Sequence, residues 1–297
     1  MLVLFLLLVD PVMGNRNLLL LVPLAALLFF AGCEAPADSS LDASAPPSGL
    51  GGKADDTVDH DGPPASLVEL KLTIDPSSLF EVLRTFEPDR DDLQRRSITF
   101  HDTPDLALYE HGVVLRSRKV KGDPDDSTVK IRPILAADAY DLVPEYFGAE
   151  GFKCELDWTL TREVSSCSYS IVQGRGEIEE VAAGTRELNR LFSARQERLF
   201  EAFAPVGVSM GDMVPLGPVT TIRFRKEIEE LDLRITVELW TMPGGGLLIE
   251  LSTRVEAEYA EDTYVEFQEW AADAGMDLAA VQGTKTGRVL EYFAAQL

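Results

Sequence analysis

The chain has 297 residues, 45% of them hydrophobic, with 27 Lys and Arg against 50 Asp and Glu, a net charge of −23. Such an acidic chain is a poor match for a nucleic-acid surface, which would need an excess of cations. The minority charge is therefore informative wherever it clusters. Three histidines, His60, His101 and His111, show no metal-ligand spacing, and no Gly-x-Ser-x-Gly is present, so hydrolysis by a serine and histidine pair has little support.

Met13 to Cys33 has the layout of a secretory signal: Arg16 supplies a cation, Leu18 to Phe30 an apolar run, and Ala31-Gly32 small residues before Cys33. The cysteine at the cleavage point makes the segment resemble a bacterial lipoprotein signal, which implies lipidation of Cys33, a membrane anchor and a bacterial cell-envelope location. Residues 1–12 form a second apolar run, which places the true start at Met13. A membrane-spanning helix from Leu2 to Phe30 is the competing reading, but Asp10, Pro11, Asn15, Arg16 and Asn17 would all lie inside it. The predicted units are a signal over 1–32, a tether over 33–64 and a folded domain over 65–297. The tether is rich in Ala, Asp, Ser, Pro and Gly and has too few large apolar residues to fold. With Cys33 acylated, Cys154 and Cys167 are the remaining thiols. In an oxidising compartment they would pair; a buried free pair is the other reading.

Period-two alternation predicts strands near 66–74, 95–101, 112–119, 126–132, 151–160, 166–172, 218–229, 232–241 and 246–257. Helical spacing predicts helices near 76–84, 176–204, 262–275 and 285–295, the second a long helical insertion that packs on the domain. Pro243-Gly244-Gly245-Gly246 joins two strands as a hairpin. Eight or nine short strands, mostly hairpin-linked, give an expected fold class of α+β, mainly β: a closed antiparallel barrel with flanking helices.

Most strands carry charges at alternate positions and apolar residues between them. Arg116 and Arg118 lie on one face of one strand and Lys130 and Arg132 on one face of the next; later strands offer Arg223 and Arg225. Carboxylates follow the same pattern: Glu69 beside Lys71, then Glu155 and Asp157, Glu238 and Glu250. An open sheet would leave this face in water. A barrel would turn it inward, where charges must neutralise one another or hold ligands. Cations suit phosphate oxygens, and oxygen-only carboxylate sets suit Mg²⁺ or Mn²⁺.

Val68-Glu69-Leu70-Lys71, the run from Asp102 to Arg118 (DTPDLALYEHGVVLRSR), Thr128-Val129-Lys130 and Leu248-Ile249-Glu250 together resemble the CYTH family of triphosphate tunnel metalloenzymes. The resemblance implies a closed eight-stranded antiparallel tunnel that takes a triphosphate or polyphosphate ligand with Mg²⁺ or Mn²⁺. It implies phosphate binding by Arg116, Arg118, Lys130, Arg132, Arg223, Arg225 and Lys285. Metal binding falls to Glu69, Glu155, Asp157, Glu238 and Glu250, with Glu69, Lys71 and Glu250 in catalytic roles. Two of the family's carboxylates are missing: Leu67 and Ser252 stand in their places. The expected function is metal-dependent hydrolysis of inorganic triphosphate or a related polyphosphate; the alternative is a lipoprotein that binds polyphosphate or an organophosphate without turnover. ATP cyclisation is disfavoured for an exported domain. Arg162 and Arg195 are expected on the outer surface, and Gly283 to Gly287 (GTKTG) reads as a helix entrance rather than a phosphate loop.

Overall fold

The computed structural model describes residues 67–280 and 284–297; the expected signal, Cys33 and tether lie outside them. Nine strands close into a barrel: β1 (Leu67–Ile74), β2 (Gln94–Asp102), β3 (Val113–Val120), β4 (Asp126–Ile131), β5 (Phe152–Thr159), β6 (Arg162–Val172), β7 (Val214–Ile228), β8 (Leu233–Thr241) and β9 (Leu247–Glu256). Around the ring the order is β1-β5-β6-β4-β3-β2-β7-β8-β9, and β9 returns to β1. The expected count of eight is corrected to nine, and the all-antiparallel expectation to a mixed sheet. Directions cannot alternate all the way round a ring with an odd number of strands, so one neighbouring pair must be parallel. That pair is β1 and β5.

The helices are α1 (Leu79–Phe86), α2 (Ala107–Glu110), α3 (Ala136–Leu142), α4 (Glu177–Ala182), α5 (Ala194–Phe203), α6 (Ala260–Asp273) and α7 (Lys285–Ala294). None is long and apolar enough to cross a membrane. The outward faces of the strands carry the apolar residues and are covered in two sectors. Leu70, Leu72, Phe224, Val237 and Leu251 pack under α1 and α6 through Phe86, Tyr264 and Phe267. Leu115, Val129 and Tyr169 pack under the segments from α3 to α5 through Tyr146, Leu191, Leu199 and Phe200. Each fully buried Leu or Ile contributes roughly 1.5–3 kcal/mol, so the stabilising apolar surface lies outside the barrel wall, leaving the lumen to polar groups.

The long helix expected over 176–204 is instead α4, a 3-10 turn at Leu188–Leu191 and α5. Gly184 takes a positive φ of 69° just after α4. Ser193 then starts a new helix with a capping box: its hydroxyl accepts from Gln196 N, and the Gln196 side chain accepts from Ser193 N. The apolar residues at helical spacing still pack on the barrel, but on two short segments that can follow its curvature. Cys154 and Cys167 lie directly opposite each other on β5 and β6 and are disulfide-bonded, 13 residues apart in sequence.

One end of the lumen is filled. Ile98, Phe100, Val114, Leu216, Trp240 and Leu248 form an apolar cluster there with Val289 and Leu290 of α7. The helix thereby stoppers the barrel and leaves the other part of the lumen as a cavity.

Candidate functional site: a charged tunnel with two opposed walls

The connection between β2 and β3 sets the position of the first two cations. The Asp102 carboxylate accepts from the backbone N–H groups of Thr103, Leu108 and Tyr109, which folds the intervening residues into the four-residue α2. Gly112 follows with φ +76°, and a Cβ there would lie 2.1 Å from Arg132 O, so only glycine lets the chain re-enter as β3 this close to the end of β4. Arg132 N donates to Gly112 O at 2.7 Å, which ties the two strands. β3 then carries Arg116 and Arg118 inward, opposite Thr128 and Asp126 of β4.

The cavity has a volume of about 430 Å³. Twelve lysines and arginines line it against five carboxylates, in a chain whose overall charge is strongly negative. Lys71, Arg116, Arg118, Lys130, Arg132, Arg223, Arg225 and Lys285 all line it, as do Glu69, Glu155, Asp157, Glu238 and Glu250. They are sorted by strand. β4, β3, β2 and β7 are consecutive in the ring and form a basic wall; β8, β9, β1 and β5 are consecutive and carry all five carboxylates.

On the basic wall Asp126 holds Arg118, at 2.7 Å from Nε and 2.6 Å from a terminal nitrogen, and lies 3.5 Å from Arg116. Arg116 also donates to Thr128 Oγ1 at 3.0 Å. Three guanidinium N–H groups remain buried without a hydrogen-bond partner: Arg116 Nε, Arg132 Nη2 and Arg223 Nε. Leaving such donors unmet costs about 1–3 kcal/mol each, more for charged groups, so this wall is strained toward an acceptor. The titration behaviour agrees. Burial, then Arg118 and Arg223, pushes Arg96 down to about 9. Burial pushes the Lys130 ammonium down to about 8, against the attraction of Asp157. Burial also lowers Arg116, Arg132 and Arg223, with Arg118 adding to the effect on Arg116 and Arg225 to that on Arg223. Guanidinium groups keep their protons at neutral pH, so these shifts express cations crowded without enough counter-charge.

The carboxylates of the acidic wall are paired by cations of that wall, by Lys285 of α7 and, reaching across from the basic wall, by Lys130 and by Arg96 and Arg223, which lie 3.4 and 3.7 Å from Glu238. Lys71 Nζ lies 2.8 Å from Asp157 and 3.0 Å from Glu69; Lys130 reaches Asp157 at 3.4 Å. Arg254 pairs with Glu155 at 2.6 Å, and Lys153 with the same carboxylate at 2.8 Å. Lys285, the first residue of α7, bonds Glu238 and, at 2.6 Å, Glu250. Burial alone would raise Asp157 and Glu238, but Lys71 and Lys130 hold the first, and Lys285 the second, well below the usual carboxylate range.

The sequence reading overlooked Arg96 and Asp126. Arg96 shares the inward face of β2 with Ile98 and Phe100, so that strand lacks the run of alternating charges that marks the others; Ile98 and Phe100 face the stoppered end instead. Asp126 stands at the first position of the strand predicted over 126–132 and opens β4, where its carboxylate meets Arg118. The two arginines expected on the outer surface also need revision. Arg162 lines the cavity. Arg195 does lie outside the cavity, but its guanidinium stacks over Tyr146 at 5.2 Å and Tyr169 at 5.8 Å and donates to Glu145 O, so it is half-buried against β6 and the 3-10 turn at Pro144–Tyr146 rather than standing free.

The expected divalent metal is poorly matched. Among the described residues no group of three or more His, Cys, Asp or Glu converges as a metal cage. Every carboxylate of the acidic wall already binds a lysine or arginine, and the acids missing at Leu67 and Ser252 are not replaced by others. The donor set is an ion-pair lattice, not a preformed metal site.

Closed barrel, charged lumen and flanking helices match the triphosphate tunnel fold. Among solved structures, the chain is similar to a Hippeastrum protein named for adenylyl cyclase and described as having a dominant triphosphatase activity, with TM-score 0.55, 16% identity, and 76% of this chain and 96% of that one covered. It is also similar to a Bacillus halodurans protein named for adenylate cyclase, with TM-score 0.51, 13% identity, and 75% and 98% coverage. At these identities the likeness is one of fold. No protein-family model and no curated protein matches the chain.

Proposed function

We propose that the chain is a CYTH-type tunnel protein that takes up inorganic triphosphate or a short linear polyphosphate. The observation that carries this reading is the set of buried guanidinium N–H groups without a hydrogen bond, Arg116 Nε, Arg132 Nη2 and Arg223 Nε, the last held only by a 3.7 Å ion pair with Glu238, on a wall facing carboxylates already paired with cations. A linear polyanion with oxygens along its length would meet all three at once, and arginine is the side chain best shaped for phosphate oxygens. A nucleotide is less well served, because the one aromatic among the described lining residues, Phe100, is only 2% exposed and offers no face for a base. Because the chain's net charge repels polyanions at long range, selectivity rests on the confined cavity.

Hydrolysis of the bound phosphoanhydride is the second reading, favoured by the likeness to the Hippeastrum protein described as a triphosphatase. It was expected to rest on Mg²⁺ or Mn²⁺ held by Glu69, Glu155, Asp157, Glu238 and Glu250, a placement the ion-paired donor set does not favour. Two assays on the purified domain separate the readings: calorimetric titration with tripolyphosphate, and phosphate release with and without divalent ions. Binding without release leaves the polyphosphate-binding reading alone; release adds the hydrolase. Absence of binding under both conditions refutes the proposal.

A lipid anchor at Cys33 and a bacterial envelope location belong to the same proposal. The Cys154–Cys167 disulfide supports it, since disulfides persist in oxidising compartments. Labelled palmitate should enter the wild-type protein and not Cys33→Ser; failure to label the wild type refutes the anchor.

A further inference from the structure

A wall of five carboxylates inside a barrel needs counter-charge before it can be stable. Two lysines supply it in the same way. Lys71 Nζ sits between Glu69 of its own strand and Asp157 of the neighbouring β5, at 3.0 and 2.8 Å. Lys285 Nζ sits between Glu238 and Glu250, which face each other directly across β8 and β9. An ammonium has three donors and no acceptor, so it fits between two carboxylates as a small cation would. Lys285 is held on several sides: the Trp240 ring lies 5.2 Å from Nζ, Thr284 caps its helix, and Val289 and Leu290 anchor that helix in the stoppered end. Glu250 has no other cation within ion-pair distance among the described residues. Where further acids would be needed to hold a metal beside these lysines, the chain has Leu67, half exposed at the start of β1, and Ser252, opposite Lys71.

We infer that Lys71 and Lys285 are built-in cations that occupy the places of divalent ions on the acidic wall, so that the tunnel receives its polyanion free of metal. The claim about the ligand rests on the polyphosphate reading; the claim about the lysines does not. Removing Lys285 leaves Glu250 without an ion pair among the described residues and Glu238 ion-paired only with Arg96 at 3.4 Å and Arg223 at 3.7 Å, so the two facing carboxylates become open to an oxygen-loving divalent ion.

The test is a Mn²⁺ titration of the intact protein followed by electron paramagnetic resonance, without any phosphate, on wild type, Lys285→Met, Lys285→Arg and Lys71→Met, each checked for a cooperative melt. Wild type and Lys285→Arg should bind Mn²⁺ more weakly than about 1 mM. Lys285→Met, and independently Lys71→Met if the first does not fold, should gain a site at least about tenfold tighter, because a neighbouring positive charge has gone. Tight Mn²⁺ binding by wild type, or no gain in a folded variant, overturns the inference. A second arm titrates tripolyphosphate in EDTA and again with Mn²⁺. Comparable affinity in EDTA supports the inference. Binding only with metal overturns it while leaving the polyphosphate reading intact, and no binding in either condition overturns that reading while the Mn²⁺ arm still decides the lysines' role.

Discussion

Arg132→Met should strengthen the empty protein and weaken its grip on ligand. Arg132 lines the cavity, has no carboxylate within ion-pair distance among the described residues, and leaves Nη2 buried and unbonded. Among the described residues its nearest attractive contact is a cation–π contact with Tyr109 at 5.9 Å, worth about 0.5–1 kcal/mol. Against that stands an unmet buried donor costing about 1–3 kcal/mol. Methionine keeps much of the aliphatic stem, so the net change should be a gain of about 1 kcal/mol, or a rise in Tm of about 2–4 °C for a domain of this size. With tripolyphosphate bound, the same guanidinium faces an anion. Its loss should then cost about 2 kcal/mol, the low end for a buried charge pair because the side chain is only partly covered, a fall in affinity of about thirtyfold. Differential scanning calorimetry of the free protein and titration calorimetry with tripolyphosphate read the two effects separately. A variant that melts several degrees lower and binds as tightly as wild type would refute the reasoning, because Arg132 would then be a structural residue and not a ligand-facing one.

Arg223→Met, which removes another unbonded buried donor, should weaken binding far more than Arg225→Met, since Arg225 lies exposed and an exposed charge contributes under about 1 kcal/mol; equal losses in titration calorimetry would contradict this. Arg195→Ala should lower Tm while leaving tripolyphosphate affinity unchanged, because its partners are Tyr146, Tyr169 and Glu145 O, all outside the cavity lining. Reducing the Cys154–Cys167 bridge should cost on the order of 3 kcal/mol, the figure for a loop of this length, visible as a lower urea midpoint in the presence of reductant; an unchanged midpoint would mean the bridge is not formed in solution. Lys130, lowered to about 8, loses its charge as pH rises through that value, so affinity for tripolyphosphate should fall between neutral pH and pH 9.5. The sign is opposite for stability: the folded protein favours the neutral amine, so this group's contribution rises as pH climbs from about 8 toward its ordinary 10.5. Lys130→Met should flatten both profiles, and an unchanged pH dependence would exclude Lys130 as their source.

The strands were legible because a half-buried strand writes its two faces into the chain with period two. Val113 to Val120 and Leu247 to Glu256 are found within a residue of where alternation places them. The same pattern put Arg116, Arg118, Lys130 and Arg132 on a common side. It failed for Arg96, whose inward neighbours Ile98 and Phe100 are apolar because the lumen changes character along its axis. It also joined α4 and α5 into one helix, since helical spacing continues across a break that only Gly184 and the Ser193 cap reveal.

By itself the sequence determined which side chains share a face of each strand, that charges rather than apolar groups occupy one of those faces, and where two cysteines fall in facing strands. Those are local properties, decided within a few residues by backbone geometry. Only the tertiary structure decided that nine strands close with one parallel pair, that all five lining carboxylates fall on β8, β9, β1 and β5 while β4, β3, β2 and β7 line the cavity with cations, and that α7 stoppers the lumen while delivering Lys285 to Glu238 and Glu250. These depend on register between segments far apart in the chain: Lys71 meets Asp157 across 86 residues and Lys285 meets Glu238 across 47. A charge in the sequence shows that it needs a partner; ring order and helix docking choose which one it receives, and which guanidinium N–H groups are left without a hydrogen bond.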